Sequence, residues 1–146
     1  GFMHQPYTGE TWVGSSSGTQ FFHKGESKKV STRSNIKLAD SVLYSTHPEM
    51  FQDPQGLRNF EELSKQVKLM RYGGDCYAYC LLAMGLIDII VEDDLQPYDI
   101  LPLIPIVEGA GGVVTNLDGD SPLEGGLVVT AGSKALHDQA LAMMKG

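Results

Sequence analysis

A chain of 146 residues, 42% hydrophobic and 20% charged, can bury one core and is too balanced for a disordered, collagenous or disulfide-built polypeptide. Eighteen acidic residues against eleven basic ones give a formal charge of −7. The few cations near the front (Lys24, Lys28, Lys29, Arg33) are followed by scattered singles, which argues against a nucleic-acid partner.

The chain opens Gly1-Phe2-Met3-His4, without methionine at position 1 and inside a strand-like stretch, so the back part of a longer polypeptide is expected. From Phe2 to Val30, short apolar runs broken by Pro6-Tyr7-Thr8-Gly9, Ser15 to Gly18 and Lys24-Gly25-Glu26 predict three or four antiparallel strands. Ser41–Ser45 predicts a strand, Pro54 to Lys65 a helix, and Val67–Met70 another short strand. Gly73-Gly74-Asp75 then leads into a nearly all-apolar buried helix ending at Met84. Ile87–Val91 reads as a buried strand and Pro97–Glu108 as one helix. Val113–Asn116 and Leu127–Ala131 read as strands, and Ser133 caps a last amphipathic helix to Met144. Strands alternating with helices after residue 40 predict an α/β layered sheet, preceded by an all-β segment. The expected division is 1–35, antiparallel strands of a first sheet, and 36–146, an α/β subdomain.

The longest apolar stretch, Ile100 to Val107, has eight residues and two prolines, against the roughly 20 of a membrane helix, and no secretory leader is visible. Cys76 and Cys80, four apart in an apolar segment, read as reduced core thiols, so a cytoplasmic setting is expected. No histidine pair has a zinc-type interval, and no Gly-x-Ser-x-Gly elbow occurs. Asp53-Pro54-Gln55-Gly56 reads as a turn or helix start and Asp118-Gly119-Asp120 as a hairpin turn.

Three segments carry candidate chemistry. Pro97-Tyr98-Asp99 is a good helix start, with proline at the first position and a carboxylate in the first turn. Asp99 is equally of the right type to ligate a hard cation, and Glu92, Asp93 and Asp94 crowd before it. Arg71-Tyr72-Gly73-Gly74-Asp75 reads either as an anion cradle or as a tight turn with Asp75 capping the next helix. Glu108-Gly109-Ala110-Gly111-Gly112 reads as a helix ending in left-handed glycine.

Together these segments resemble the inositol monophosphatase family of Mg²⁺-dependent phosphatases. The resemblance rests on Pro97-Tyr98-Asp99 followed by Val107-Glu108-Gly109-Ala110-Gly111-Gly112-Val113, similar to the family's aromatic–Asp pair and Glu-Ala-Gly-Gly ending. Tyr98 stands where tryptophan is commoner, and Gly109 is an insertion. Arg71 to Tyr79 and Pro6 to Glu10 look more like the histidinol-phosphate branch than the inositol branch, which usually carries a small residue at the position of Asp75. The family's Asp-Pro-x-Asp-Gly-Thr motif is absent, so the chain resembles the C-terminal half of the layered αβαβα sugar-phosphatase fold. The resemblance implies a Mg²⁺-dependent phosphomonoesterase acting on L-histidinol phosphate, with the Mg²⁺ ligand and catalytic residue Asp99. Arg71, Gly73, Gly74, Asp75 and Glu92 are the implied substrate contacts. It further implies a small phosphate monoester and the other half of the polypeptide as partners, a homodimer, and no nucleic-acid or membrane partner. Inositol or broader sugar and nucleotide phosphates are the alternative substrates. A non-catalytic α/β interaction module is the alternative of another kind.

Overall fold

A computed structural model describes residues 1–146 as two sheets with helices between and outside them. Four antiparallel strands, β1 (Phe2–Gln5), β2 (Glu10–Ser15), β3 (Gly18–His23) and β4 (Glu26–Val30), follow one another as a meander. The turn residues singled out in the sequence join them. Alternation does the rest: Met3, Trp12 and Phe21 share one cross-strand row and all point inward. Trp12 is fully buried, tilted against Phe21 at 4.9 Å and edge-on to Tyr77 at 5.6 Å.

The second sheet runs β6-β5-β7-β9-β8, built from β5 (Val42–Ser45), β6 (Leu69–Tyr72), β7 (Ile89–Leu95), β8 (Val113–Thr115) and β9 (Gly126–Ala131). Strand β5 is parallel to β6 and β7, whereas β9 is antiparallel to both β7 and β8. Helices α1 (Pro54–Ser64) and α5 (Lys134–Lys145) cover one face, where Phe60, Leu63, Leu136 and Ala140 meet Leu43, Ile89 and Val91. Helix α2 (Asp75–Ala83), α3 (Pro97–Ile100) and α4 (Ile104–Gly109) lie on the other face and against the first sheet. The order of layers is therefore α/β/α/β. Residues of the first sheet, α2 and α4 share one continuous core, so the first 30 residues have no separate core.

Caps follow the local chemistry. Asp53 accepts the Gln55 N–H at the start of α1, and Ser133 accepts the Leu136 N–H at the start of α5. The stretch read as one helix over Pro97–Glu108 is two. Pro102 and Pro105 lack the N–H groups a continuous helix needs, and the chain passes from α3 to α4 through a tight turn at Leu101–Leu103.

Close approach needs glycine between the layers. A Cβ on Gly14 would sit 2.3 Å from the Ile106 Cα, and one on Gly109 would sit 2.6 Å from the Ser15 carbonyl oxygen. The glycine inserted in the Glu-Gly-Ala-Gly-Gly turn is thus where α4 rests on the β2–β3 hairpin. Thr19 donates to the Ile106 carbonyl across the same contact at 2.6 Å. From the end of β4, Thr32 straps over the turn to the carbonyl of Gly132. Arg33 forks onto the fully buried Asp88, which also accepts the Val42 N–H.

Candidate active site

A cleft of about 390 Å³ opens where β5 and β7 end and α2 and α3 begin. In open α/β sheets the carboxyl ends of parallel strands leave such a crevice, because the connections diverge to opposite faces there. Alternation along β7 selects what enters it. Glu92 and Asp94 face the cleft, while Asp93, between them, faces the opposite side. A register shift between Glu92 and Leu95, with Asp94 at φ 58°, turns the end of β7 toward α3.

Four carboxylates line the cleft: Asp75, Glu92, Asp94 and Asp99. No lysine or arginine does. Asp75 is exposed and makes no hydrogen bond through its side chain. The capping role considered for it is not made. Gly74, at φ 113°, is the residue before the helix, and Asp75 is the first helical residue at φ 42°. Asp99 accepts the Gln96 N–H at 2.9 Å through one oxygen, which tethers its carboxylate at the rim. Glu92 is only 3% exposed. Its oxygens accept from the Thr46 hydroxyl and from the Tyr79 hydroxyl, the latter at 2.8 Å. Burial pushes the Glu92 carboxyl above its usual range and the two hydroxyls partly counter this. Nearby Asp75 adds to the rise. Burial and the facing Glu92 likewise hold the Tyr79 phenol well above its ordinary range.

Asp75, Glu92 and Asp99 therefore come together. Arg71 does not line the cleft; it is exposed on edge strand β6 without an ionic partner. Gly73 and Gly74 form the turn into α2, with the Gly73 N–H donating to the Ser45 and Thr46 carbonyls, and neither lines the cleft. Cys80 is buried as expected, but Cys76, in the first turn of α2, is exposed and lines the cleft. Burial nonetheless pushes its thiol up, and neighbouring Asp75 adds to this, so it is a poor nucleophile. Thr46 and Tyr79 are the functional candidates that sequence reasoning missed. Thr46 follows the end of a parallel strand, the one place where a pattern rule would have looked.

The donor set fits part of a hard-cation shell. Uncompensated carboxylates suit Mg²⁺, which takes one or two of them together with phosphate and water. No three His, Cys, Asp or Glu side chains converge to hold an ion by themselves. A larger hollow of about 630 Å³ on the other side of β7, beside α1 and α5, contains Asp93. Both oxygens of that carboxylate are occupied by the backbone N–H groups of Gln52 and Asp94, so its role there is to fix the chain. No helix is long and apolar enough to cross a membrane.

The profile of the inositol monophosphatase family matches residues 1–145. The chloroplastic bifunctional phosphatase IMPL2 of Arabidopsis thaliana is 38% identical over 99% of this chain and 43% of its own length. A histidinol-phosphatase of Chlorobaculum parvum is 28% identical over 97% of this chain and 54% of its own. An inositol monophosphatase from Zymomonas mobilis superposes with a TM-score of 0.89 at 36% identity, over 99% of this chain and 56% of that one. The chain spans about half the length of the curated relatives it matches.

Proposed function

Because this chain belongs to the inositol monophosphatase family, we propose that the protein it builds is a Mg²⁺-dependent phosphomonoesterase whose preferred substrate is L-histidinol phosphate. The observation that carries the reading is the cleft with four carboxylates and no basic side chain. A phosphate dianion enters such a field only with cations, and an alcohol bearing an ammonium or imidazolium group is favoured there over a neutral cyclitol.

Asp99 would contribute one carboxylate to the metal, its second oxygen tied to the Gln96 N–H so that the first is held in place. When bound, a divalent cation supplies the positive charge that offsets the phosphoryl oxygens and the leaving oxygen in an in-line displacement. Asp75 would pair with the substrate's cationic group, free to do so because no protein group engages its side chain. Glu92 would accept from a donor on the alcohol, and buried Leu103 closes the floor against water. Gly73 and Gly74 set the α2 entry that aims Asp75. Arg71, on the neighbouring strand edge, would act on the approach of the phosphate. A homodimer, a cytoplasmic setting and completion of the metal shell by residues outside this chain belong to the same proposal.

The likeness to the Zymomonas inositol monophosphatase supports a second substrate, inositol phosphate, for the same cleft. Phosphate release from L-histidinol phosphate and from myo-inositol 1-phosphate decides between them, measured with and without Mg²⁺ on the protein as its gene encodes it. Efficiency at least tenfold higher on histidinol phosphate, abolished by chelator, is expected. Equal or reversed efficiencies would overturn the substrate assignment, and Mg²⁺-independent turnover would overturn the mechanism.

A further inference from the structure

The molecule holds three buried carboxylates; Asp93 gives both oxygens to backbone N–H groups, and the other two differ in one respect. Asp88 is fully buried and takes a forked contact from Arg33 plus the Val42 N–H, so its charge is compensated and its role is to lock the strap between the sheets. Glu92 is 3% exposed and has no cation at all. A carboxylate kept in the interior with hydroxyl partners alone adds little to stability, since an apolar residue of similar size would serve the fold as well. What distinguishes Glu92 is that its remaining open side is the cleft.

We propose that Tyr79 and Thr46 are positioning residues that together aim the Glu92 carboxylate into the cleft, and that Glu92 selects the alcohol half of the substrate only while so held. The inference rests on the phosphatase reading for the word substrate, but not for the brace itself. The two donors come from different elements: Thr46 from the end of β5, Tyr79 from the second turn of α2. Each grips a different oxygen. Two points of attachment on a planar group fix its rotation, which one hydrogen bond does not. Tyr79 is 1% exposed and wedged in the core shared by α2, α4 and the first sheet, so its hydroxyl is a stationary donor. An ionised carboxylate only accepts, so both hydroxyls must donate to it. Each oxygen retains a lone pair, and the cleft is the direction left open for a ligand's N–H or O–H.

The test uses Tyr79→Phe, Thr46→Val and Thr46→Ser in the protein as its gene encodes it, with L-histidinol phosphate as the probe. Tyr79→Phe removes one oxygen atom and keeps the ring in the core. It is expected to raise KM about tenfold with kcat within about threefold of the parent, as is Thr46→Val. Thr46→Ser, which restores the donor, is expected to return KM to the parent value. A merely structural role would lower the active fraction, hence kcat, and leave KM alone. A second measurement does not depend on turnover: ¹³C NMR titration of the Glu92 carboxyl. Its midpoint is expected to rise by about one pH unit in Tyr79→Phe, because a donor to the charged form is lost. Asp75, Cys76, Asp94 and Asp99 face the same cleft and are identical in the two proteins, so the difference isolates the hydroxyl. If the parent releases no phosphate from any ester, the phosphatase reading falls and the titration alone judges the brace. An unmoved midpoint overturns the brace. A moved midpoint with unchanged KM overturns its part in selecting the substrate. Should Tyr79→Phe fail to fold, half-buried Thr46→Val carries both measurements.

Discussion

Replacing Asp75 with asparagine changes one charge and almost nothing else. The side chain makes no hydrogen bond in the folded protein, and its backbone sits at φ 42°, a conformation asparagine tolerates as well as aspartate. What is lost for the fold is a favourable charge on the first turn of α2, about 0.3–1 kcal/mol, or a fall in Tm of about 3 °C at most. What is lost for a cationic substrate is a charge-assisted contact of about 1.5–3 kcal/mol, a tenfold to hundredfold drop in kcat/KM. A second effect follows from the arrangement of carboxylates. Asp75 is among the groups that raise the Glu92 carboxyl, so its removal lets Glu92 ionise at lower pH. The acid limb of the kcat/KM profile is therefore expected to move down in pH even as its plateau falls. Steady-state assays on histidinol phosphate and on inositol 1-phosphate across pH 5 to 9 read both effects. Efficiency on the neutral substrate should hold or rise. An equal loss on cationic and neutral esters would refute the idea that Asp75 chooses the substrate.

Asp99→Asn keeps the acceptor for the Gln96 N–H but removes the ligand's negative charge, so turnover should fall at least about a hundredfold with Tm nearly unchanged. Near-normal turnover at saturating Mg²⁺ would return Asp99 to the role of a helix start. The 146-residue chain by itself should release negligible phosphate, since no three ligating side chains converge in it; a Mg²⁺-dependent rate in a preparation free of other phosphatases would contradict this. Gly109→Ala should lower stability by about 2 kcal/mol, because the new methyl would lie 2.6 Å from the Ser15 oxygen and 2.7 Å from the Thr19 hydroxyl; unfolding in urea measures it, and an unchanged midpoint would mean that the layers slide apart without cost.

Most of the fold was legible along the chain because its signals are local. Alternation with turn residues marked the meander, apolar runs marked β5 and β7, and Asp53 and Ser133 announced their helices through caps that act within three residues. The split between α3 and α4 runs against the apolar spacing, which predicts one helix, because Pro102 and Pro105 lack the N–H groups a continuous helix needs. Asp99 and Glu92 stood out as acidic residues near a strand end, and the likeness of Glu108 to Gly112 to a known turn gave them a context.

Other features depended on elements far apart in the chain. Whether Asp75 caps α2 or faces the cleft turns on where the helix begins, and that is set by a backbone with Gly73, Gly74 and Asp75 all at positive φ, which residue identity alone does not reveal. Arg71 and Asp75 are four residues apart, yet β6 leaves one on a sheet edge while α2 carries the other into the cleft. Thr46 and Glu92 are 46 residues apart, and only the parallel pairing of β5 with β7 brings that hydroxyl to that carboxylate. Propensity, capping and turn chemistry act over a few residues and are written in the order of the chain. The surroundings of a buried carboxylate are set by packing between layers, and that is decided only when distant elements meet.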